Sequence, residues 1–353
     1  MTTLVNMGYD LHWLRLYKNQ TSELRPLPPS IRSQAWLTEK DRLIFLDYIM
    51  LANKFRKMIQ ELKPDLIHAG PIQRVAFLPA YVGFHPLVSM SWGSDLLWDA
   101  NRNVYWRWVT RFTLRHTDVL IGDCQVVKRK AEQFGFPGKR MVLFPWGIDL
   151  KQYYPGDKEK IKQEFGWQGN FVFLSTRAWE RLYGVDVILK AFHQAHQQMP
   201  EACLKLIGGG SQESEFREYV SDSQFGNKVE FLGRVPYDHL PRFYQAADVF
   251  ISASHSDGSS VSLMESLACG CPALVSDIPS NQEWIKPNQQ GWIFLDNQYA
   301  DLAAKMIDAY TLRHDLKRYQ RNARKIAEEK ADWTRNSLGL PNAYSLARKL
   351  TNN

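Results

Sequence analysis

From residue 171 to 312 the chain alternates short apolar runs with longer amphipathic stretches, and this alternation narrows the fold more than any other feature. Phe171-Val172-Phe173-Leu174 predicts a buried strand, and the spacing of Val187, Ile188, Ala191 and Phe192 predicts a helix over 184–198. A strand over 203–207 follows, closed by Gly208-Gly209-Gly210. The series continues with a helix from Gln212, a strand over 229–232, a helix over 240–246 and a strand over 248–252. It ends with a helix over 259–269, a strand over 272–276 and a helix near 300–312. Strands that are apolar throughout and separated by helices build a parallel sheet covered on both faces. Ligands of such sheets bind beyond the carboxyl ends of the strands. The earlier part repeats the pattern more faintly at 64–68, 86–90 and 118–121, which predicts a second doubly wound domain. The turn-rich Tyr153-Tyr154-Pro155-Gly156 marks the crossing between the two.

A chain of 353 residues suits two domains. With 44% apolar and 23% charged residues it has the mix of a folded globular protein, not a disordered one. No run approaches the ~18 apolar residues that cross a bilayer, and residues 1–10 lack the basic and apolar regions of a signal peptide. Cys124, Cys203, Cys269 and Cys271 have no metal-ligand or Cys-x-x-Cys spacing, which disfavours a zinc site or a disulfide framework and suits a reducing cytoplasm. The net charge of +7 is uneven: residues 1–150 carry 20 Lys or Arg and 13 Asp or Glu, whereas residues 151–353 carry 24 of each. A basic first part favours acidic partners: nucleic acid, anionic lipid or phosphorylated substrates.

The most informative stretch runs from Ser252 to Pro272, where a strand ends in a small polar loop and a helix begins at Ser259-Ser260. The first amides of a helix lack intrahelical partners and its dipole is positive there, so this start can hold an anion such as a diphosphate. Asp257 in the loop can grip sugar hydroxyls, and Glu265, eight positions later, can accept hydrogen bonds from ribose hydroxyls. A plainer reading is equally open, in which Ser259 caps the helix and Glu265 lies on a solvated face.

Asp257 and Glu265 with Gly270-Cys271-Pro272 resemble the paired-acid motif of glycosyltransferase family 4, the retaining GT-B glycosyltransferases. Other segments resemble the family in the same order. Phe144-Pro145-Trp146-Gly147-Ile148-Asp149 with Pro155 resembles the interdomain segment, and Thr176-Arg177 with Gly184-Val185-Asp186 the diphosphate-binding segment. Leu206-Ile207-Gly208-Gly209-Gly210 resembles the glycine turn, and 229–235 the strand and loop under the nucleotide base. Trp333 resembles the aromatic that opens the last helices. The resemblance implies an α/β GT-B fold of two doubly wound, Rossmann-like domains facing a cleft. Residues 1–152 would bind the acceptor, 153–330 the nucleotide sugar, and a helix in 331–353 would return to the first domain. The stretch from Leu4 to Leu14 resembles the end of the family's first helix and its second strand, so the first domain is expected to lack its first strand and acceptor-facing loop.

The same resemblance implies the site. Arg177, Asp257 and Glu265 would be catalytic. The donor would be bound by these three with Arg181, Gly209, Gly233, Arg234, Gly258, Ser259, Ser260 and Val261. His68, Trp92, Gly93 and Asp95 would face the acceptor. Neither metal nor cofactor is implied; the substrate would be a UDP- or GDP-linked sugar. The chain departs from the family at three places. Asp257 replaces the usual Glu, Trp92 replaces a histidine, and Tyr183 stands where a Lys is usual, which leaves Arg181 to supply a second cation to diphosphate oxygens.

The expected function is therefore retaining transfer of a hexose to a glycan, glycolipid or other hydroxyl acceptor, as in the making of cell-envelope polysaccharide. No Asp-x-Asp occurs, which argues for a metal-independent reaction. The alternative is an inactive relative that binds a nucleotide or glycan. A nucleic-acid binder would rest on the basic balance alone, without a recognition motif. In 101–116, Arg107, Arg111 and Arg115 share one helix face beside Trp108 and Phe112. Such a helix can lie on an anionic membrane or pack its aromatics on the sheet. The expected location is the cytoplasm, with peripheral contact at the inner face of the membrane.

Overall fold

The alternating runs form parallel sheets in two compact units. The computed structural model describes residues 1–17, 31, 33–38, 45–221, 223 and 225–351. The first unit comprises Met1–Gly122, Val127–Phe144 and Ser337–Asn353; the second comprises Asp123–Val126 and Pro145–Asn336.

In the first unit a helix, Thr2–Asn6, precedes strand β1 (His12–Tyr17), the order that the opening residues predict. β1 pairs in parallel with β2 (Ser33–Thr38). A separate parallel sheet runs in sequence order through β3 (Ile67–Ala69), β4 (Leu87–Met90), β5 (Val119–Gly122) and β6 (Met141–Leu143). β3 starts later than the expected 64–68, since Pro64 has no amide to give a ladder and Asp65 is exposed. The helix Gly339–Thr351 packs on β4, β5 and β6 and buries Leu340, Ala343, Tyr344 and Ala347 at helical spacing.

The second unit holds one parallel sheet in the order β12-β11-β10-β7-β8-β9. Its strands are β7 (Phe171–Ser175), β8 (Ala202–Ile207), β9 (Val229–Gly233), β10 (Val249–Ser252), β11 (Ala273–Ser276) and β12 (Gly291–Phe294). Alternate residues of each strand enter different cores because successive side chains point to opposite faces. Phe171, Phe173, Leu204, Val249, Ile251 and Leu274 join the helices Val185–Ala195 and Tyr299–Thr311. Val172, Leu174, Cys203, Phe250, Ala273 and Val275 join Leu240–Ala246, Val261–Ala268 and Leu316–Lys330. Each fully buried Phe or Leu stabilises by roughly 1.5–3 kcal/mol, so the two layers supply most of the cohesion. The helix Leu316–Lys330 was not anticipated: it is mostly charged, and only Leu316, Tyr319, Ala323 and Ala327 are fully buried, with Ile326 packed partly against the core. Near the interdomain-like segment, Ile148 bridges Asp332, and a Cβ on Gly147 would fall 2.3 Å from the Trp333 backbone.

Candidate active site

Thr176 and Arg177 follow β7 directly, at the carboxyl edge of the sheet. The Arg177 guanidinium, largely buried, binds three partners. Nη2 donates to Asp257 Oδ2 at 2.8 Å, and Nη1 donates to the hydroxyls of Ser260 at 3.0 Å and Ser262 at 2.9 Å. Its other face lies 4.2 Å from the centre of the Tyr183 ring. A planar cation gains both from the fork of donors and from the ring face. Arg177 thus ties the loop after β10 to the loop after β7. Tyr183, which stands where a Lys is usual in the family, supports the arginine instead of adding a second charge. Arg181, expected to be that second cation, is exposed on the same short 3-10 turn, Arg181–Tyr183.

The helix Val261–Ala268 begins two residues later than expected. Its cap is Ser260, whose hydroxyl accepts from the Leu263 amide at 3.4 Å, not Ser259. Val261 is exposed at the first helical position, whereas Ser259, Ser260 and Ser262 around it are buried. Ser259 is buried and tied to Asp123. Its amide donates to Asp123 Oδ2 and its hydroxyl to the Asp123 carbonyl, each at 2.7 Å. A Cβ on Gly258 would fall 2.2 Å from the same carboxylate, so glycine is required for this approach. Asp123 belongs to the Asp123–Val126 segment of the second unit and was not anticipated; the signal was a carboxylate placed directly after an apolar run. Burial pushes its carboxyl up to about 6, against the pull of the Ser259 amide and with Asp257 adding a like charge.

Glu265 is buried rather than on the solvated face of the plainer reading. Its Oε2 accepts from the Tyr244 hydroxyl at 2.9 Å, which in turn lies 2.7 Å from the Thr176 hydroxyl. Burial, with Glu265 beside it, holds the Tyr244 phenol well above its ordinary range, so it stays a donor. Both acids of the motif thus converge on the Thr176-Arg177 corner, Asp257 directly and Glu265 through Tyr244.

The glycine turn after β8 lies against the same corner. A Cβ on Gly208 would fall 2.6 Å from the Arg177 carbonyl, and one on Gly210 would fall 2.3 Å from the Trp179 carbonyl. Gly208 donates to the Gly233 carbonyl at 2.8 Å, and the Arg234 Nε would sit 3.3 Å from a Cβ on Gly209. Gly209, Gly233 and Arg234 are thereby brought beside Arg177 at the ends of β7, β8 and β9.

The residues expected to face an acceptor lie in the first unit and divide by role. The Asp95 carboxylate is buried and fully engaged. Oδ1 accepts from the Ser91 hydroxyl and from the Trp92 and Leu96 amides, and Oδ2 from the Ile72 amide. Burial outweighs these bonds and holds its carboxyl above the ordinary range. Asp95 builds the loop after β4, Gly93 takes φ 86° at its bend, and Trp92 projects from it into solvent. His68 Nδ1 lies 2.8 Å from the Tyr344 hydroxyl, and its Nε2 is buried without a partner. Burial, aided by the Met1 amino group, lowers its pKa to about 4, so the ring is neutral and packs beneath the helix Gly339–Thr351.

Two family models match the chain: Glycosyltransferase Family 4 over residues 1–152 and Glycosyl transferases group 1 over residues 157–326. Mannosylfructose-phosphate synthase of Agrobacterium fabrum is 29% identical over 156 residues, covering 41% of this chain and 34% of the relative. A GDP-mannose-dependent monoacylated alpha-(1-6)-phosphatidylinositol monomannoside mannosyltransferase of Corynebacterium glutamicum is 23% identical, covering 84% of this chain and 80% of the relative. The chain spans less than two thirds of the length of the first curated relatives it matches, 34%, 21% and 52% of three of them. Among solved structures, Anabaena HepE in complex with UDP and glucose superposes with a TM-score of 0.76 at 20% identity, covering 90% of this chain and 86% of that one. With parallel α/β sheets in both units and a family model matching each half, the chain belongs to glycosyltransferase family 4 and has the GT-B fold.

Proposed function

We propose that this protein transfers a sugar from a UDP- or GDP-linked donor to a hydroxyl of a glycan or lipid-linked acceptor, with retention of anomeric configuration and without a metal. The observation that carries the reading is the Thr176-Arg177 corner, where one guanidinium joins Asp257 to the start of the Val261–Ala268 helix. As the glycosidic bond breaks, negative charge grows on the departing phosphate. Donors already fixed toward that point stabilise it without reorganisation. Arg177 supplies a fixed positive charge there, and the start of the Val261–Ala268 helix adds the positive end of its dipole. Asp257 takes sugar hydroxyls, Glu265 the ribose, and Arg234 and Arg181 reach the diphosphate side. Trp92 offers an exposed indole to the acceptor. Relatives named as glycosyltransferase and mannosyltransferase, and a structural neighbour holding UDP and glucose, support this class of chemistry.

A second reading draws on the same corner. Both Nη atoms of Arg177 are already engaged within the protein, which suits a chain that binds a nucleotide or glycan without turning it over.

Incubation with a panel of UDP- and GDP-sugars, scored for nucleotide release with and without glycan and lipid acceptors, separates the two. The transferase reading expects acceptor-dependent release with at least one donor, reduced by about 10²–10³ in Arg177→Lys. Nucleotide binding with no release from any donor supports the second reading. Glu265→Gln, which keeps an acceptor for Tyr244, should weaken nucleotide binding; unchanged binding would remove Glu265 from the donor site.

A further inference from the structure

The helix Val104–Arg115 has an outer face unlike that of an ordinary solvated helix. Its buried side is Val109, Thr110, Thr113 and Leu114. The opposite side carries Val104, Trp108, Arg111 and Arg115 at i, i+4, i+7 and i+11, flanked by Tyr105 and Arg107. Val104 is 85% exposed, Trp108 48% and Tyr105 46%, and Trp98, just before the helix, is 51% exposed. Every exposed tryptophan among the described residues falls between Trp92 and Trp108. Trp108 is braced from below by Phe112 at 5.5 Å and Phe77 at 6.3 Å, so its outer surface is held outward.

The charges of this helix have one sign. No Asp or Glu occurs in the helix, and Arg107, Arg111 and Arg115 are all exposed. Asp99 pairs with Arg102 at 3.4 Å, and Asp95 is buried in its loop. A surface that exposes indoles leaves apolar area unfavourably in water unless something covers it. Indole and phenol rings set among arginines match the boundary between lipid headgroups and acyl chains, where the ring enters and the guanidinium stays with phosphate.

We propose that this face of the Val104–Arg115 helix, with Trp98, docks the protein on an anionic phospholipid bilayer, the helix lying in the plane of the surface with Trp108 and Tyr105 inserted. The 12-residue helix would lay about 18 Å along the membrane. The occupant is lipid and not nucleic acid because half of the face is apolar, with Val104 at its most exposed point. The proposal stands on the first unit's surface and is independent of any donor chemistry.

The test is co-sedimentation of the whole protein with vesicles of phosphatidylcholine alone and of phosphatidylcholine with about a third phosphatidylglycerol, read together with tryptophan emission. Binding to the anionic vesicles, a blue shift, and weakening as salt rises are expected. Arg107→Gln/Arg111→Gln/Arg115→Gln should weaken anionic-vesicle binding by about 100-fold, at about fivefold per residue. Trp98→Ser/Trp108→Ser should remove the blue shift and most binding to the same vesicles. Thermal midpoints close to the parent would show that both variants fold. No binding to either vesicle, equal binding to both, or variants that bind like the parent each overturn the proposal. So does a dimer in sedimentation velocity that dissociates in the Trp98→Ser/Trp108→Ser variant, or binding to single-stranded RNA in preference to anionic vesicles.

Discussion

Arg177 shows how one side chain can carry both architecture and chemistry. Its Nη donors are used within the protein, and the Tyr183 ring fixes the plane of the guanidinium. Tyr183→Phe keeps the ring and should leave nucleotide release near the parent value. Tyr183→Ala should lower the turnover of the proposed reaction by about tenfold, from loss of a cation–π contact of roughly 1–2 kcal/mol, with donor KM little changed. A loss equal in both variants would assign the role to the hydroxyl instead. Asp123 makes a different kind of prediction. Its carboxyl titrates near 6 in the fold against an ordinary 3.8, so the folded state holds the proton more tightly. A raised acid pKa contributes stability that is fully present below about 4 and is lost as pH rises through about 6. Asp123→Asn should therefore be more stable than the parent at pH 8, by at most about 3 kcal/mol, with the gap closing toward pH 4. Thermal melts across that range check the sign, and a gap that widens in acid would contradict it.

Among the elements, the turns set the site more tightly than the strands or helices do. Gly184 joins the Arg181–Tyr183 turn to the helix Val185–Ala195 with φ 60°, and a Cβ there would fall 2.2 Å from the Ala253 carbonyl. Both strain and clash oppose a side chain at this point. Gly184→Ala should destabilise by about 2 kcal/mol or more. It should also displace Tyr183 from Arg177, so that release of nucleotide falls further than stability alone explains. Denaturation midpoints measured alongside turnover test this, and a variant that melts like the parent would show that the backbone yields locally. The turn after β8 works by the same rule: the Arg177 and Trp179 carbonyls occupy the space where side chains on Gly208 and Gly210 would stand.

At the scale of the whole molecule, each unit has its own core, and the second is pinned by a buried ion cluster. Asp248, just before β10, accepts from Lys158 at 3.0 Å, from Lys162 at 2.6 Å and from the Val172 amide at 2.8 Å. It thereby joins the helix Lys158–Phe165 to the sheet. Burial opposes its charge, but the two lysines outweigh it and hold the carboxyl below its ordinary range. Removing one member of such a cluster leaves buried charge unmatched, so Asp248→Ala should cost about 3–5 kcal/mol. Because its pKa is depressed, the stability Asp248 contributes is present at neutral pH and is lost as pH falls through and below the carboxylate range. The variant should melt well below the parent at pH 7, with the difference shrinking in acid; equal melting at pH 7 would show that the cluster is neutral to stability.

By itself the sequence determined the class of fold and the neighbourhood of the site. Strand residues such as Phe171 to Leu174 must be apolar on both sides to lie between two helical layers, and glycines must stand where backbones approach, so both leave marks along the chain. The helix Leu316–Lys330 left a weaker mark, because four buried residues and Ile326 dock it while eight of its fifteen residues are charged. Only the tertiary structure decided what each polar side chain does. It gave Tyr183 to Arg177, made Asp95 a builder of its loop, placed Asp123 under Ser259 and routed Glu265 through Tyr244. A carboxylate or a ring takes its role from the partner it meets. Ser259 lies 136 residues from Asp123 and Tyr244 lies 21 from Glu265, while Tyr183 and Asp95 meet near neighbours through turns whose geometry hydrophobic periodicity does not record.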